Sequence, residues 1–283
     1  MTVISGIADE AGKDIETQIR AHRELGWKAI ELRLVNGRNV AGALSDEEFK
    51  TVARQVEASG LQVTAFASAI GNWSRNIRDD FQVDIDELKT AIPRMQRFGT
   101  RFIRTMSWVG DGVSEEAWRD EGIRRYRELA KIAEDGDVFL AHENCTGWAG
   151  LSAENMRRLV EEVDSEHLAI LFDTGNTISH GHDHWPYYQG VKDLIRYVHI
   201  KDCRINPEGG RSQDYAYVGE GDARVRETLA DLLAAGYDGV VSIEPHVSAI
   251  VHDSTVTPSP EDMFKSYLKY GQMLTKMMEQ MKE

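Results

Sequence analysis

Cysteine is scarce: the 283-residue chain holds two, Cys145 and Cys203, far apart and with no Cys-x-x-Cys pair. That excludes a disulfide framework as the basis of the fold and makes a reducing compartment the default. Positive charge is also short, because 33 Lys and Arg against 47 Asp and Glu leave a net charge of −14. Binding to nucleic acid draws most of its affinity from cations on phosphates, so a broad nucleic-acid surface is excluded. No apolar run reaches the roughly 18 residues that a membrane span needs. The opening MTVISGIADEAGKD lacks the basic start and long apolar stretch of a secretion signal and reads as a first strand. The expectation is a cytoplasmic protein with neither a membrane nor a nucleic-acid partner. No Pro/Gly/Ser linker or low-complexity tract divides the chain, so residues 1–283 are read as one domain.

What is present is a steady alternation of short apolar runs and longer amphipathic stretches. The runs are Val3–Ile7, Ala29–Leu32, Gln62–Phe66, Phe102–Thr105, Val138–Ala141, Ala169–Phe172, Tyr197–Ile200 and Val240–Ile243. They are rich in Val, Ile, Leu and Phe, as strands buried on both faces of a parallel sheet are. Helix-like stretches follow each: Asp14–Leu25, Ser45–Ser59, Asp84–Phe98, Ser114–Asp135, Ser152–Val163, Asp183–Tyr197, Ala223–Gly236 and Pro260–Lys282. Ser45-Asp-Glu-Glu48 is a capping-box pattern, and Ser114, Ser152 and Ser259 stand where helix caps belong. Strands alternating with helices mean βαβ units, and eight units in this length mean an α/β fold closed as a (β/α)8 TIM barrel. The longest loop-like stretch, Arg204–Asp222, follows the seventh run and falls on the face where barrels carry their sites. Trp73, Trp108, Trp148 and Trp185 also follow strand-like runs, where aromatics can wall a substrate pocket.

The chemistry gathers at the ends of runs five to eight. FLAHEN ends near Glu143, AILFDTGN carries Asp173, YVHIKD carries His199, and VVSIEPH carries Glu244. Their separations are 30 (143 to 173), 26 (173 to 199) and 45 (199 to 244) residues, one βα unit each with the last stretched by the long loop. Parallel barrel strands converge such ends on one face. Three carboxylates and an imidazole form a hard, oxygen-rich set suited first to Mn²⁺ or Mg²⁺, with Co²⁺, Fe²⁺ or Zn²⁺ as substitutes. Such a set chelates two oxygens of a hydroxy-ketone, polarises the carbonyl and stabilises the enediolate left when the neighbouring proton departs. Epimerisation needs a base on one face and an acid on the other, and Glu143 and Glu244 are the natural pair.

These segments resemble the xylose-isomerase-like barrel superfamily of sugar isomerases and epimerases, in particular its ketose 3-epimerases and inosose-processing enzymes. The matching pieces are ELR at Glu31–Arg33, HEN at His142–Asn144, FDTGN at Phe172–Asn176, HIKD at His199–Asp202, VGEGD at Val218–Asp222 and IEP at Ile243–Pro245. The resemblance implies a divalent metal on Glu143, Asp173, His199 and Glu244, with the two glutamates doubling as acid and base. It implies substrate contacts from Lys201 or Arg204, and a homo-oligomer. Where the family often holds a histidine soon after the aspartate, this chain has Asn176, with His180, His182 and His184 beyond it. Of these, His182 is the first candidate for a substrate contact; His246, after Glu244-Pro245, and Trp108 are the others. Glu31 is read either as pointing into the barrel mouth or as pairing with Arg33, with the pairing favoured. The function expected is a sugar isomerase or epimerase acting on a sugar or polyol ketone. A lyase or dehydratase on a keto-sugar, inosose or keto-glycoside stays open, because both begin with the same proton abstraction. Endonuclease-type members of the superfamily need a basic DNA face, which the acidic charge opposes. Gly219 and Gly221 are read as a tight turn rather than a phosphate cradle, which favours an unphosphorylated substrate.

Overall fold

The computed structural model describes residues 2–247 and 259–281. Eight parallel strands form one sheet: β1 (Val3–Gly6), β2 (Ala29–Leu32), β3 (Gln62–Ala67), β4 (Phe102–Ser107), β5 (Phe139–Gly147), β6 (Leu168–Asp173), β7 (Ile195–Ile200) and β8 (Val240–Ile243). Each pairs with its neighbours in chain order, β8 returns to β1, and a parallel bridge between Ile7 and Glu31 brings β1 to β2. The result is a nearly closed barrel. All residues of β2 and β6 are buried, so the strands lack the alternation of a half-wet sheet, as a sheet covered on both faces requires.

Outside the barrel run α1 (Ile15–Glu24), α2 (Asp46–Ser59), α3 (Gln82–Phe98), α4 (Glu115–Asp135), α5 (Ala153–Val163), α6 (Thr174–Ser179), α7 (His184–Val191), α8 (Val225–Ala234) and α9 (Pro260–Gln280). The expected serine caps are made at α2, α4, α5 and α9, with the full capping box at Ser45 and Glu48. The expected C-terminal end of the last helix, Lys282, lies outside the described residues.

Three expectations need correcting. The helix read over Asp183–Tyr197 stops at Val191; a 3₁₀ turn over Lys192–Leu194 leads into β7, where buried Ile195, exposed Arg196 and buried Tyr197 set a strand period. A short helix, α6, begins directly after Asp173, where the polar TGNTIS gave no apolar periodicity to read. The long loop after β7 is partly structured: Tyr215–Ala216 pairs antiparallel with Asp202–Cys203.

The ladder registers create the site. Ser5 lies opposite Ser242, Ser242 opposite His199, and His199 opposite Asp173, so four neighbouring strands contribute one inward row. From Ser5 in that row the side chains meet across the interior: Ser5 Oγ to Thr64 Oγ1 at 3.0 Å, Thr64 Oγ1 to Tyr197 Oη at 2.9 Å, and Tyr197 Oη donating to Glu31 at 2.7 Å.

Candidate metal centre and active site

Glu143, Asp173, His199 and Glu244 converge at the C-terminal end of the barrel, all buried, and each offers a ligand atom within 4.8 Å of the others. The strand ends set this arrangement, and local bonds refine it. The side chain of Asn144 clamps β5 to β6, its Nδ2 donating to Asp173 O at 2.9 Å and its Oδ1 accepting from Asp173 N at 2.6 Å. Asp173 is the N-cap of α6: its Oδ1 accepts from Gly175 N at 2.8 Å and Asn176 N at 2.9 Å. Its Oδ2 pairs with Lys201 Nζ at 2.9 Å, whereas Glu143 Oε2 has no hydrogen bond. Gly175 is required by close approach, since a Cβ there would lie 2.7 Å from Lys201 Cβ. His199 turns its Nε2 to Glu31 at 3.0 Å, leaving Nδ1 facing Glu143 Oε1 at 3.4 Å and Glu244 Oε2 at 3.6 Å. A carboxylate behind a histidine fixes the tautomer that presents a lone pair forward. Three buried carboxylates and a forward imidazole nitrogen, their ligand atoms within 4.8 Å of one another, fit a divalent ion.

Charge density here is high. Burial opposes ionisation of Glu244, but Lys201 and His199 hold its carboxyl well below the usual range. Burial likewise opposes Glu143, which Arg104 and His199 keep lowered. Burial prevails at Asp173 and pushes its carboxyl up to about 7 despite Lys201. His199 resists its burial, and Glu31 and Glu143 raise it well above an ordinary histidine. Lys201 Nζ lies 2.9 Å from both Asp173 Oδ2 and Glu244 Oε2 and 3.1 Å from Asn176 Oδ1, so its ammonium already neutralises part of the cluster.

Glu10, Glu244 and His246 form a second group of ligand type. There the cation is built in: the Arg33 guanidinium reaches Asp9 at 3.1 Å, Glu10 at 3.3 Å and Glu244 Oε1 at 2.8 Å. The expected pairing of Glu31 with Arg33 is therefore replaced. Glu31 points across the barrel and accepts from Tyr197, Ser242 and His199 instead.

A cavity of about 250 Å³ opens above the cluster, with Glu143 and Glu244 on its floor and Trp73, Arg104, His180, Lys201, Tyr215 and His246 among its walls. Lys201 and His246 thus stand where the sequence suggested. Arg204 does not line the cavity; it is half-exposed and paired with Asp214 at 3.1 Å. His182 stacks on His180 and Tyr187 outside the lining, and the neighbouring His180 takes the wall position. Trp108 has φ 54°, which turns its ring back into the core, where Nε1 donates to Asp84 at 2.9 Å; Trp73 is the tryptophan on the wall. His184 is structural, held between Thr177 and Thr228. Sequence reasoning missed Arg104, although an arginine inside the apolar run FIRTM was its signal, and it missed the role of Asn176, whose Nδ2 donates to Glu143 Oε1 at 3.2 Å.

The VGEGD turn is a true anion cradle, but its anion is Asp202. That carboxylate accepts from Gly219 N at 2.8 Å, Gly221 N at 3.0 Å and Ala223 N at 3.1 Å. A Cβ at Gly221 would fall 2.3 Å from Asp202 Oδ1, so the turn needs glycine there. Backbone donors that elsewhere receive a phosphate are occupied from within.

A parallel eight-stranded barrel with this cluster at its C-terminal mouth defines the class. Residues 19–267 match the family model described as xylose isomerase-like TIM barrel, and the chain belongs to that family. Among curated proteins it is 32% identical over 148 residues to an uncharacterised Methanocaldococcus jannaschii protein, covering 48% of this chain and 49% of that one. It is 29% identical over 145 residues to the inosose dehydratase of Geobacillus thermodenitrificans, covering 46% and 48%. These matches span about half the length of the curated relatives. Among solved structures, a protein named IolI with a bound zinc atom superposes with a TM-score of 0.75 at 18% identity over 99% of this chain and 98% of that chain. The 3-keto-D-glucoside 4-epimerase YcjR of E. coli gives 0.70 at 17% over 96% and 100%. At that identity the likeness is one of fold. No helix among the described residues is long and apolar enough to cross a membrane.

Proposed function

We propose that this chain is a divalent-metal-dependent enzyme that moves the proton beside a carbonyl on an unphosphorylated sugar or polyol ketone, as an isomerase or epimerase. The observation that carries the reading is the buried cluster of Glu143, Asp173, His199 and Glu244 beneath a polar cavity. Manganese is the expected ion; the zinc in the IolI structure supports a divalent metal on this fold without favouring manganese. When bound, the ion supplies Lewis-acid polarisation of the carbonyl. The chain's own groups supply the rest. Both oxygens of Glu244 face cations, Arg33 at 2.8 Å and Lys201 at 2.9 Å, which weakens it as a base. Glu143 is held ionised and keeps Oε2 free of hydrogen bonds, so it is the group that accepts the carbon-bound proton. Glu244 with Lys201 forms the proton-bearing pair on the other side. His246 and His180 orient the substrate's hydroxyls from the walls, and the filled Asp202 cradle supports a substrate without phosphate.

The inosose dehydratases among the partial-length relatives favour a second reading, in which the same proton abstraction leads to loss of a hydroxyl. Incubation of the Mn²⁺-loaded protein in deuterated water with a panel of ketoses, inososes and 3-keto-glucosides tests both. Deuterium at the carbon beside the carbonyl, lost with EDTA, is the expected result. Unchanged product mass after correcting for deuterium indicates isomerisation or epimerisation, and loss of water indicates dehydration. Absence of any metal binding would overturn the reading.

A further inference from the structure

Two arginines are buried beside the cluster, and they are bonded very differently. Arg33 shows what a structural guanidinium looks like here, with Nε, Nη1 and Nη2 each donating to a carboxylate. Arg104, on β4, is as deeply buried at 2% exposure, yet among the described residues its guanidinium makes one hydrogen bond, from Nη2 to Ser68 O at 3.2 Å. Its Nε has no partner. The nearest acceptors stop just short: Glu143 Oε2 lies 3.6 Å from Nε, and Glu244 Oε1 lies 3.7 Å from Nη1. Those separations exceed an N–H···O hydrogen bond. Glu143 Oε2 is itself without a partner, so an orphaned donor and an orphaned acceptor face each other where Arg104 and Glu143 both line the cavity. A buried guanidinium with an unfilled donor is costly unless something arrives to fill it.

We propose that Arg104 is a substrate-contacting residue: its Nε–H donates to an oxygen of the bound polyol ketone that sits between the guanidinium and Glu143 Oε2. An oxygen at about 2.9 Å from each would complete both groups. It must accept from the arginine and either donate to the carboxylate, as a hydroxyl does, or, once Glu143 has taken the carbon-bound proton, accept from that carboxylic acid as well, as an enolate oxygen does. The substrate class is therefore a ketone with a hydroxyl on the carbon beside the carbonyl. An analogue lacking that hydroxyl leaves both buried groups unfilled and is rejected. Arg104 carries the cation at this position without competing for Asp173, unlike Lys201.

This inference rests on the metal-enzyme reading above, and the experiment separates the two. Wild type, R104M, R104K and R104A are first titrated with Mn²⁺ against a chelating dye, with folding checked by circular dichroism. Glycolohydroxamate, a two-carbon analogue of an enediolate, is then titrated calorimetrically into each Mn²⁺-loaded protein. R104M is expected to bind Mn²⁺ but to hold the probe roughly ten- to hundredfold more weakly, the scale of a hydrogen bond to a charged group. R104K recovers part of the loss, because lysine lacks the fixed fork. Millimolar guanidinium added to R104A restores probe affinity. Wild-type probe affinity in R104M overturns the inference; if R104M does not fold, wild-type affinity in R104K does so. Failure of guanidinium to rescue a folded R104A also counts against it. If wild type binds no Mn²⁺, the underlying reading fails first, and this inference with it.

Discussion

Glu31 lies outside the four ligand-type residues, yet replacing it with glutamine should be felt at the metal. Its Oε2 accepts from Ser242 Oγ at 2.6 Å and Tyr197 Oη at 2.7 Å, and its Oε1 faces His199 Nε2 at 3.0 Å. Glutamine offers one acceptor oxygen in place of two. If the amide oxygen stays with the two hydroxyls, the NH₂ faces His199 Nε2 and drives the imidazole proton onto Nδ1, the nitrogen turned toward Glu143 and Glu244. If the amide flips, the NH₂ meets Tyr197 and Ser242, and the negative charge that holds the ring is lost all the same. Removing the carboxylate behind a ligating histidine typically costs ten- to hundredfold in metal affinity, about 1.4–2.7 kcal/mol. The assay is competition with a chelating dye for Mn²⁺ and for Zn²⁺, on wild type and E31Q, with a melting curve to show that the variant folds. Affinities within twofold of wild type in a folded E31Q would refute the argument that Glu31 orients His199.

Asp173→Asn should keep the cap on α6, since asparagine caps as well as aspartate, and so should melt near wild type while losing metal affinity; Asp173→Ala should lose the cap as well, about 1 kcal/mol further by chemical denaturation. Glu244→Gln should abolish deuterium exchange at the substrate carbon, and a variant that still exchanges would sink its assignment to the centre. Burial holds His22 down at about 4 and His142 at about 3, so both stay neutral in the fold where the unfolded chain would charge them. The fold then binds fewer protons than the unfolded chain: this share of stability is present above about pH 6.5 and drains as pH falls toward 4, by roughly 2 kcal/mol per histidine at pH 5. Asp173, held up near 7, shifts stability the other way over the same range, so urea unfolding at pH 7 and pH 5 of wild type and of His142→Phe isolates the histidine's share, and an equal pH-dependent change in both would contradict it.

The barrel was legible because most strand positions are buried on both faces and so read as short, largely apolar runs. β2 and β8 begin and end where those runs do. β5 continues past its run through HENCTG because a barrel strand extends beyond the layer that packs the core, into the mouth where polar side chains belong. The candidate cluster was legible for the same reason: one acid or imidazole per βα unit, placed by strand ends that must converge. Contacts between non-adjacent strands were not. Glu31 on β2 meets His199 on β7 across the interior, a distance that no spacing along the chain encodes, so its neighbour Arg33 seemed the better partner. Positive φ values at Gly181 and Trp108, where His180 rather than His182 and Trp73 rather than Trp108 reach the cavity, are not declared by residue type alone.

Asp173 divides its two oxygens between tasks, one holding the first turn of α6 and the other facing the centre. Asn176, Ser179 and His180 ride on or just past that turn and line the pocket. Redrawing the segment 174–180 for a different sugar would therefore carry any change in its pitch to Asp173. The loop carrying Arg211, Gln213 and Tyr215 faces the same cavity; among the described residues it bonds to segment 174–180 through Ser212 N to Ser179 O at 2.9 Å but forms no hydrogen bond to Glu143, Asp173, His199 or Glu244. Diversification of substrate in this lineage, and directed evolution of it, should therefore concentrate in residues 205–217, leaving the other wall nearly invariant.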